Sequence, residues 1–135
     1  MISRRFFLAG TTAVAWAATA RAAGGAPVFT LGVASGSPRP DGAVLWTRLA
    51  PKPLEGGGMP AGTTFVRWRL ASDASMQRVV REGVAETSEA DGHSVHVVLR
   101  GLEPGREYWY QFHFDGQDSP VGRTKTADPS ALGAK

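Results

Sequence analysis

From Tyr108 to Phe114, Tyr108, Tyr110, Phe112 and Phe114 alternate with Trp109, Gln111 and His113. A repeat of two sets the first group on one side of an extended strand and the second on the other, an arrangement a helix cannot present as one face. The stretch is therefore predicted to be a core strand. A second alternation, Phe65-Val66-Arg67-Trp68-Arg69-Leu70, puts Val66, Trp68 and Leu70 on a buried face and Arg67 and Arg69 on the other.

Similar segments recur at short intervals between Gly, Pro and Asp. Seven strands are predicted: Val28–Val33, Ala43–Leu49, Thr64–Leu70, Val79–Glu86, Ser94–Leu99, Tyr108–Phe114 and Pro120–Thr126. Asp41-Gly42, Asp91-Gly92 and Asp115-Gly116 lie between them, and their tolerance of positive φ suits tight antiparallel reversals. Gly36-Ser37-Pro38 reads as a further turn. Only Asp73–Arg78 offers a helical turn, with Ser72 or Asp73 as its cap. Pro51 to Gly62 holds three Pro and four Gly in twelve residues, which predicts an exposed loop with freedom to move. The expected fold is all-β, an immunoglobulin-like or fibronectin type III-like antiparallel sandwich of about seven strands spanning residues 23–126.

Gly101-Leu102-Glu103-Pro104-Gly105-Arg106-Glu107-Tyr108 resembles the turn before the penultimate strand of fibronectin type III domains. There a Leu plugs the core and a Tyr hydroxyl bonds back to the backbone, so Tyr108 is a candidate tyrosine corner. The competing reading is an ordinary core tyrosine.

Charge separates the first residues from the rest. Of 15 Lys and Arg, three (Arg4, Arg5 and Arg21) fall in residues 1–22, which carry no acid; the remaining 12 face 12 Asp and Glu. A balanced surface gives no field to draw nucleic acid or anionic lipid. Arg4-Arg5 directly precede an apolar run from Phe6 to Ala20, and Ala20-Arg21-Ala22 supplies small residues for a signal peptidase. Residues 1–22 thus read as a twin-arginine signal peptide cleaved after Ala22, which implies the twin-arginine translocase as a partner and a periplasmic or secreted destination. An amphipathic N-terminal helix is the competing reading. The apolar run is too short and weakly hydrophobic for a stable membrane anchor.

Catalytic and metal readings find little support. The chain has no Cys, which excludes disulfides, thiol nucleophiles and Cys-containing zinc sites. His93 and His96 are three apart, on opposite faces of a strand, and with His113 read as surface or interface histidines. No Gly-x-Ser-x-Gly elbow and no phosphate-binding loop occurs. No catalytic, cofactor or metal residue is therefore assigned. Val44-Leu45-Trp46-Thr47-Arg48-Leu49 is apolar on both faces and Trp109 lies opposite the core side of its strand. Either the Pro51–Gly62 loop covers Trp46 and Trp109, or a second protein surface docks there.

Several ordered motifs carry a resemblance over about residues 28–126. Phe29-Thr30-Leu31-Gly32-Val33-Ala34-Ser35-Gly36, Asp41-Gly42-Ala43-Val44-Leu45-Trp46-Thr47-Arg48-Leu49, His93-Ser94-Val95-His96-Val97, Gly101-Leu102-Glu103-Pro104-Gly105 and Gly122-Arg123-Thr124-Lys125-Thr126 together resemble the N-terminal domain of the alkaline phosphatase D (PhoD-like) family. One departure is Ser37, where members commonly carry Asp. The resemblance implies a secreted phosphomonoesterase or phosphodiesterase whose iron- and calcium-binding metallophosphoesterase domain follows the sandwich. Residues 127–135 then read as the start of an interdomain linker, with the catalytic domain lying outside this chain. None of that domain's metal ligands can be carried over, since the sequence has no Asn and no Cys. The expected role is a non-catalytic accessory domain that packs against the metallophosphoesterase domain through the face around Trp46 and Trp109. The alternative is a stand-alone periplasmic sandwich that binds protein or glycan.

Overall fold

A computed structural model describes residues 25–133; Arg4, Arg5, Ala20 and Ala22, read above as signal-peptide residues, lie outside the described residues. Eight strands follow one another: β1 (Val33–Arg39), β2 (Gly42–Arg48), β3 (Thr64–Ala71), β4 (Val79–Thr87), β5 (Ser94–Val98), β6 (Glu107–Phe114), β7 (Gln117–Asp118) and β8 (Gly122–Lys125). All pairings are antiparallel. A small sheet runs β1-β2-β5, and a large one β4-β3-β6 with β7 and β8 both on the far side of β6.

The predicted alternations set the core. Tyr108, Tyr110 and Phe112 of β6 are buried, as are Val66 and Leu70 of β3, facing Leu45 of β2 and Val95 and Val97 of β5. The rings of Tyr110 and Phe112 meet edge to face at 6.1 Å. Burial raises the Tyr110 phenol above its ordinary range, and a hydrogen bond with Ser35 partly offsets it.

The all-β sandwich is therefore as expected, with three corrections. The first strand is not Val28–Val33. Val28 and Phe29 are buried, but they form a plug in which Val28 O accepts from Ala50 N and Phe29 O accepts from Gly32 N. The strand begins at Val33 and runs through Gly36-Ser37-Pro38, the segment read as a turn, with a bulge where Ser37 takes φ 47°. It is an edge strand with almost no buried side chain, so no alternation marks it, and an edge tolerates both proline and a bulge.

The last predicted strand, Pro120–Thr126, is shorter, β8 beginning only at Gly122, and the two-residue β7 precedes it; Pro120 between them has no amide hydrogen to donate to a ladder. Ser119 bridges the break: its Oγ accepts from Phe112 N, and its own N–H donates to Phe112 O.

At Asp41-Gly42 the glycine is needed for space, since Gly42 is not among the positive-φ residues. A Cβ there would stand 1.9 Å from Leu99 O, so β2 and the end of β5 approach too closely for any side chain. The Asp115-Gly116 reversal does use positive φ, 49° and 71°.

Asp73 caps the turn predicted at Asp73–Arg78, accepting from Gln77 N, Arg78 N and Ser75 Oγ. The Pro51–Gly62 segment contains a tight reversal in which Lys52 and Gly57 exchange backbone hydrogen bonds, leaving Leu54 97% exposed at its tip.

Both ends of the sandwich are tied down. Gln117 Oε1 accepts from Val28 N and Gln117 Nε2 donates to Ala26 O. At the opposite end of β6, Ala127 N donates to Arg39 O and Gly105 N donates to Ala127 O. A single helical turn, α1 (Pro129–Leu132), follows; Asp128 caps it by accepting from Ser130 N and Oγ, which holds its carboxyl below the usual range.

Candidate interaction surfaces

Tyr108 points inward from β6, and its hydroxyl accepts from Glu103 N at 3.1 Å, the contact a tyrosine corner makes. Leu102 beside it is buried, and its N–H donates to Asp41 O. Together they fasten the β5–β6 crossover to the turn before β2.

Trp46 and Trp109, expected to share one face, are on different sheets. Trp46 lies on the outer side of β2, in register with Ala34 of β1 and His96 of β5. Trp109 lies on the outer side of β6, between Ala71 of β3 and Arg123 of β8. The outer faces of a sandwich point away from each other, so no single flat surface contains both. Both rings are half-buried.

The two faces differ in chemistry. On the large sheet a groove of about 280 Å³ is floored by Arg67, Arg69, Glu82, Gln111, His113 and Asp118 with Val84, and Phe65 stands exposed on the same face. Its polar groups engage one another: Arg69 Nη2 donates to Gln111 Oε1 at 3.2 Å, Gln111 Nε2 donates to Ser119 O, and His113 Nδ1 lies 2.7 Å from Asp118 Oδ1. At the Trp109 end, Ala71 is fully buried although it faces outward, and Met76, 9% exposed, lines a depression with Arg69 and Gln111. The chain's own turn after β3 thus covers that end of the face. On the small sheet the outer residues are Ala34 of β1, Val44 and Trp46 of β2, and His96 and Val98 of β5, with Val98 59% exposed. The Pro51–Gly62 loop is anchored at the sandwich end, where Arg48 Nε donates to Gly92 O and Gly62 N to Glu89; that bond holds the Glu89 carboxyl below its ordinary range.

His93 departs from its reading as a surface or interface histidine. It is 5% exposed, adopts φ 55°, and its Nε2 is buried without a hydrogen-bond partner. Its backbone explains the position, since His93 N donates to Ser88 O and His93 O accepts from Leu49 N. His96 is exposed on β5, so the two do not converge on a metal. Among the described residues no three His, Asp or Glu side chains gather as a metal site, and no helix is long and apolar enough to cross a membrane. The polar groove brings no nucleophile beside His113, because Ser119 Oγ is committed to Phe112 N and Pro120 O.

Sequence reasoning did not find the groove. The shared side of Arg67 and Arg69, and of Gln111 and His113, is written in the alternation; that β3 pairs with β6 in the register Arg67 to His113 and Arg69 to Gln111 is not.

Comparison with known proteins bears on the same residues. The profile of the PhoD-like phosphatase N-terminal domain matches residues 13–128. Alkaline phosphatase D of Bacillus subtilis (strain 168) is 52% identical over 98 residues, covering 73% of this chain and 17% of that protein. A solved structure of PhoD superposes with a TM-score of 0.74 at 50% identity, covering 78% of this chain and 20% of the other. The sensor domain of the anti-sigma factor RsgI4 of Pseudobacteroides cellulosolvens, at 15% identity and a TM-score of 0.50 over 72% of this chain and 92% of its own, shares the fold alone. The chain therefore spans about a fifth of the PhoD proteins it matches.

Proposed function

The chain belongs to the PhoD-like phosphatase N-terminal domain family, and from that premise we propose that it is the non-catalytic accessory domain of an exported alkaline phosphatase D-like phosphomonoesterase or phosphodiesterase. The observation that carries this reading is the 52% identity to an alkaline phosphatase D confined to 17% of that protein's length. Phosphoryl transfer in such an enzyme needs a metal clamp, and this chain has no Cys and no Asn to contribute to one. The iron and calcium chemistry implied by the resemblance therefore belongs to a metallophosphoesterase domain in cis, and the sandwich packs against it. Export runs through the twin-arginine translocase to the periplasm or beyond, with cleavage after Ala22.

The test is the mass of the native product, detected with an antibody raised against residues 23–135. A species several times heavier than this 14.3 kDa chain is expected; one of about its own mass overturns the reading in favour of a stand-alone sandwich. Replacing Arg4 and Arg5 with Lys is expected to block export, and unimpaired export would reject the twin-arginine assignment.

A further inference from the structure

We infer that the outer face of the small sheet, centred on Trp46 and Val98, is the surface against which the polypeptide continuing beyond residue 133 docks. The inference rests on the proposed accessory role and adds to it which of the two faces is used.

Three observations select the small sheet. Its outer face presents Ala34, Val44, Trp46 and Val98, with His96 directly beside Trp46 and Arg48 at the margin. Covering such a surface removes hydrocarbon from water at little cost in broken polar contacts. The large sheet is mixed: its exposed Phe65 and Val84 are interleaved with Arg67, Glu82 and Glu86, its other polar groups already engage one another, and its tryptophan end lies beside the chain's own turn.

The third observation is the route of the chain. Ala127 is hydrogen-bonded to Arg39, the last residue of β1, and β1 is the edge of the small sheet. Asp128 and α1 follow at once, with Asp128 packed against Gly105. The continuing polypeptide is thus delivered to the rim of the apolar face, and a short connection holds the two surfaces at high effective concentration. The occupant has an apolar patch with a polar rim, not a charged groove.

Val98 and Val84 give matched reporters. Val98 is 59% exposed on the outer face of the small sheet and Val84 61% exposed on that of the large sheet, and the chain has no cysteine of its own. Val98→Cys and Val84→Cys would each be reacted with a maleimide, in this 135-residue chain and in the longer protein, and the modified peptide quantified by mass spectrometry.

The expected result is that Val98→Cys reacts on the order of tenfold or more slowly in the longer protein while Val84→Cys keeps its rate, since burial limits thiol access. Slowing at Val84→Cys alone overturns the choice of face and leaves the accessory reading standing. Equal rates for both variants in both proteins overturn the docking altogether, as does the lack of any longer species, which also removes the accessory reading.

Discussion

The outer faces of the two sheets solve the same problem in different ways. On the large sheet Arg69, Gln111, His113 and Asp118 satisfy one another across three strands, and the turn that carries Met76 closes over the end nearest Trp109. On the small sheet Trp46 sits between Ala34 and His96, with Val44 and Val98 beside them, and hydrocarbon reaches the surface. A face whose polar groups are mutually paired gains little from being covered, because any partner must match every one of them. A face of hydrocarbon gains from almost any apolar cover. Exposed hydrocarbon alone does not separate the two, since Phe65 and Val84 on the large sheet are as open as Val98 on the small one but stand among Arg67, Glu82 and Glu86.

The comparison can be broken at several points. The largest effect is expected at the tightest contact of the small sheet: Gly42→Ala forces a methyl into Leu99 O and should cost about 3 kcal/mol, read as a lowered denaturation midpoint. A midpoint within error of the wild type would mean that the small sheet is not closely packed at this corner.

Next come the tryptophans in the 135-residue chain. Trp109→Ala removes a ring already partly covered by the chain itself and should cost roughly 2 kcal/mol, whereas Trp46→Ala should cost about 1 kcal/mol or less. The reverse order in urea melts would erase the distinction between a face covered from within and a face awaiting cover.

Tyr108→Phe leaves Glu103 N without its acceptor and should cost about 1 kcal/mol, testing the seam between the two sheets; no measurable loss would reduce Tyr108 to an ordinary core residue.

The smallest effect concerns the turn over the large sheet. The Asp73 carboxyl is held below its ordinary value of 3.8, chiefly by the Arg78 N–H and then by the Ser75 hydroxyl. A lowered value in the folded state means that its contribution is full above 3.8 and disappears as pH falls through the folded value. Asp73→Asn should therefore lower Tm by about a degree at neutral pH and by less than that at about pH 3. A loss of equal size at both pH values would remove the charge from the explanation.

The strands that bury one face were legible because burial imposes the period of two, as on β3 and β6. β1 was not, since an edge strand with exposed side chains is held by backbone pairing alone and leaves no pattern. The role of Gly42 was hidden for a related reason: Asp-Gly marks a reversal in the sequence, while the closeness of Leu99 is a fact of tertiary packing. For the candidate surfaces, the alternation sets Trp109 off the core side of its strand, whereas Trp46 stands in a segment apolar on both faces, which leaves its side open. Their separation onto opposite faces depends on which strands share a sheet, and β2 and β6 never pair. His93 was misplaced because polarity suggests the surface, whereas the hydrogen bonds of its backbone fix where its ring must go.

The two anchored ends give the sandwich a mechanical character. Gln117 holds the entering chain just past one end of β6, and Arg39 with Gly105 holds the leaving chain at the other. Tension applied between residues 25 and 133 therefore runs along the strands and loads their ladders in shear, many bonds at once. Traction across the β3–β4 hairpin would instead open bonds one after another. Single-molecule stretching should need the higher force in the first geometry, and equal forces in the two would refute it. A domain held this way resists a pull along its strands without coming apart.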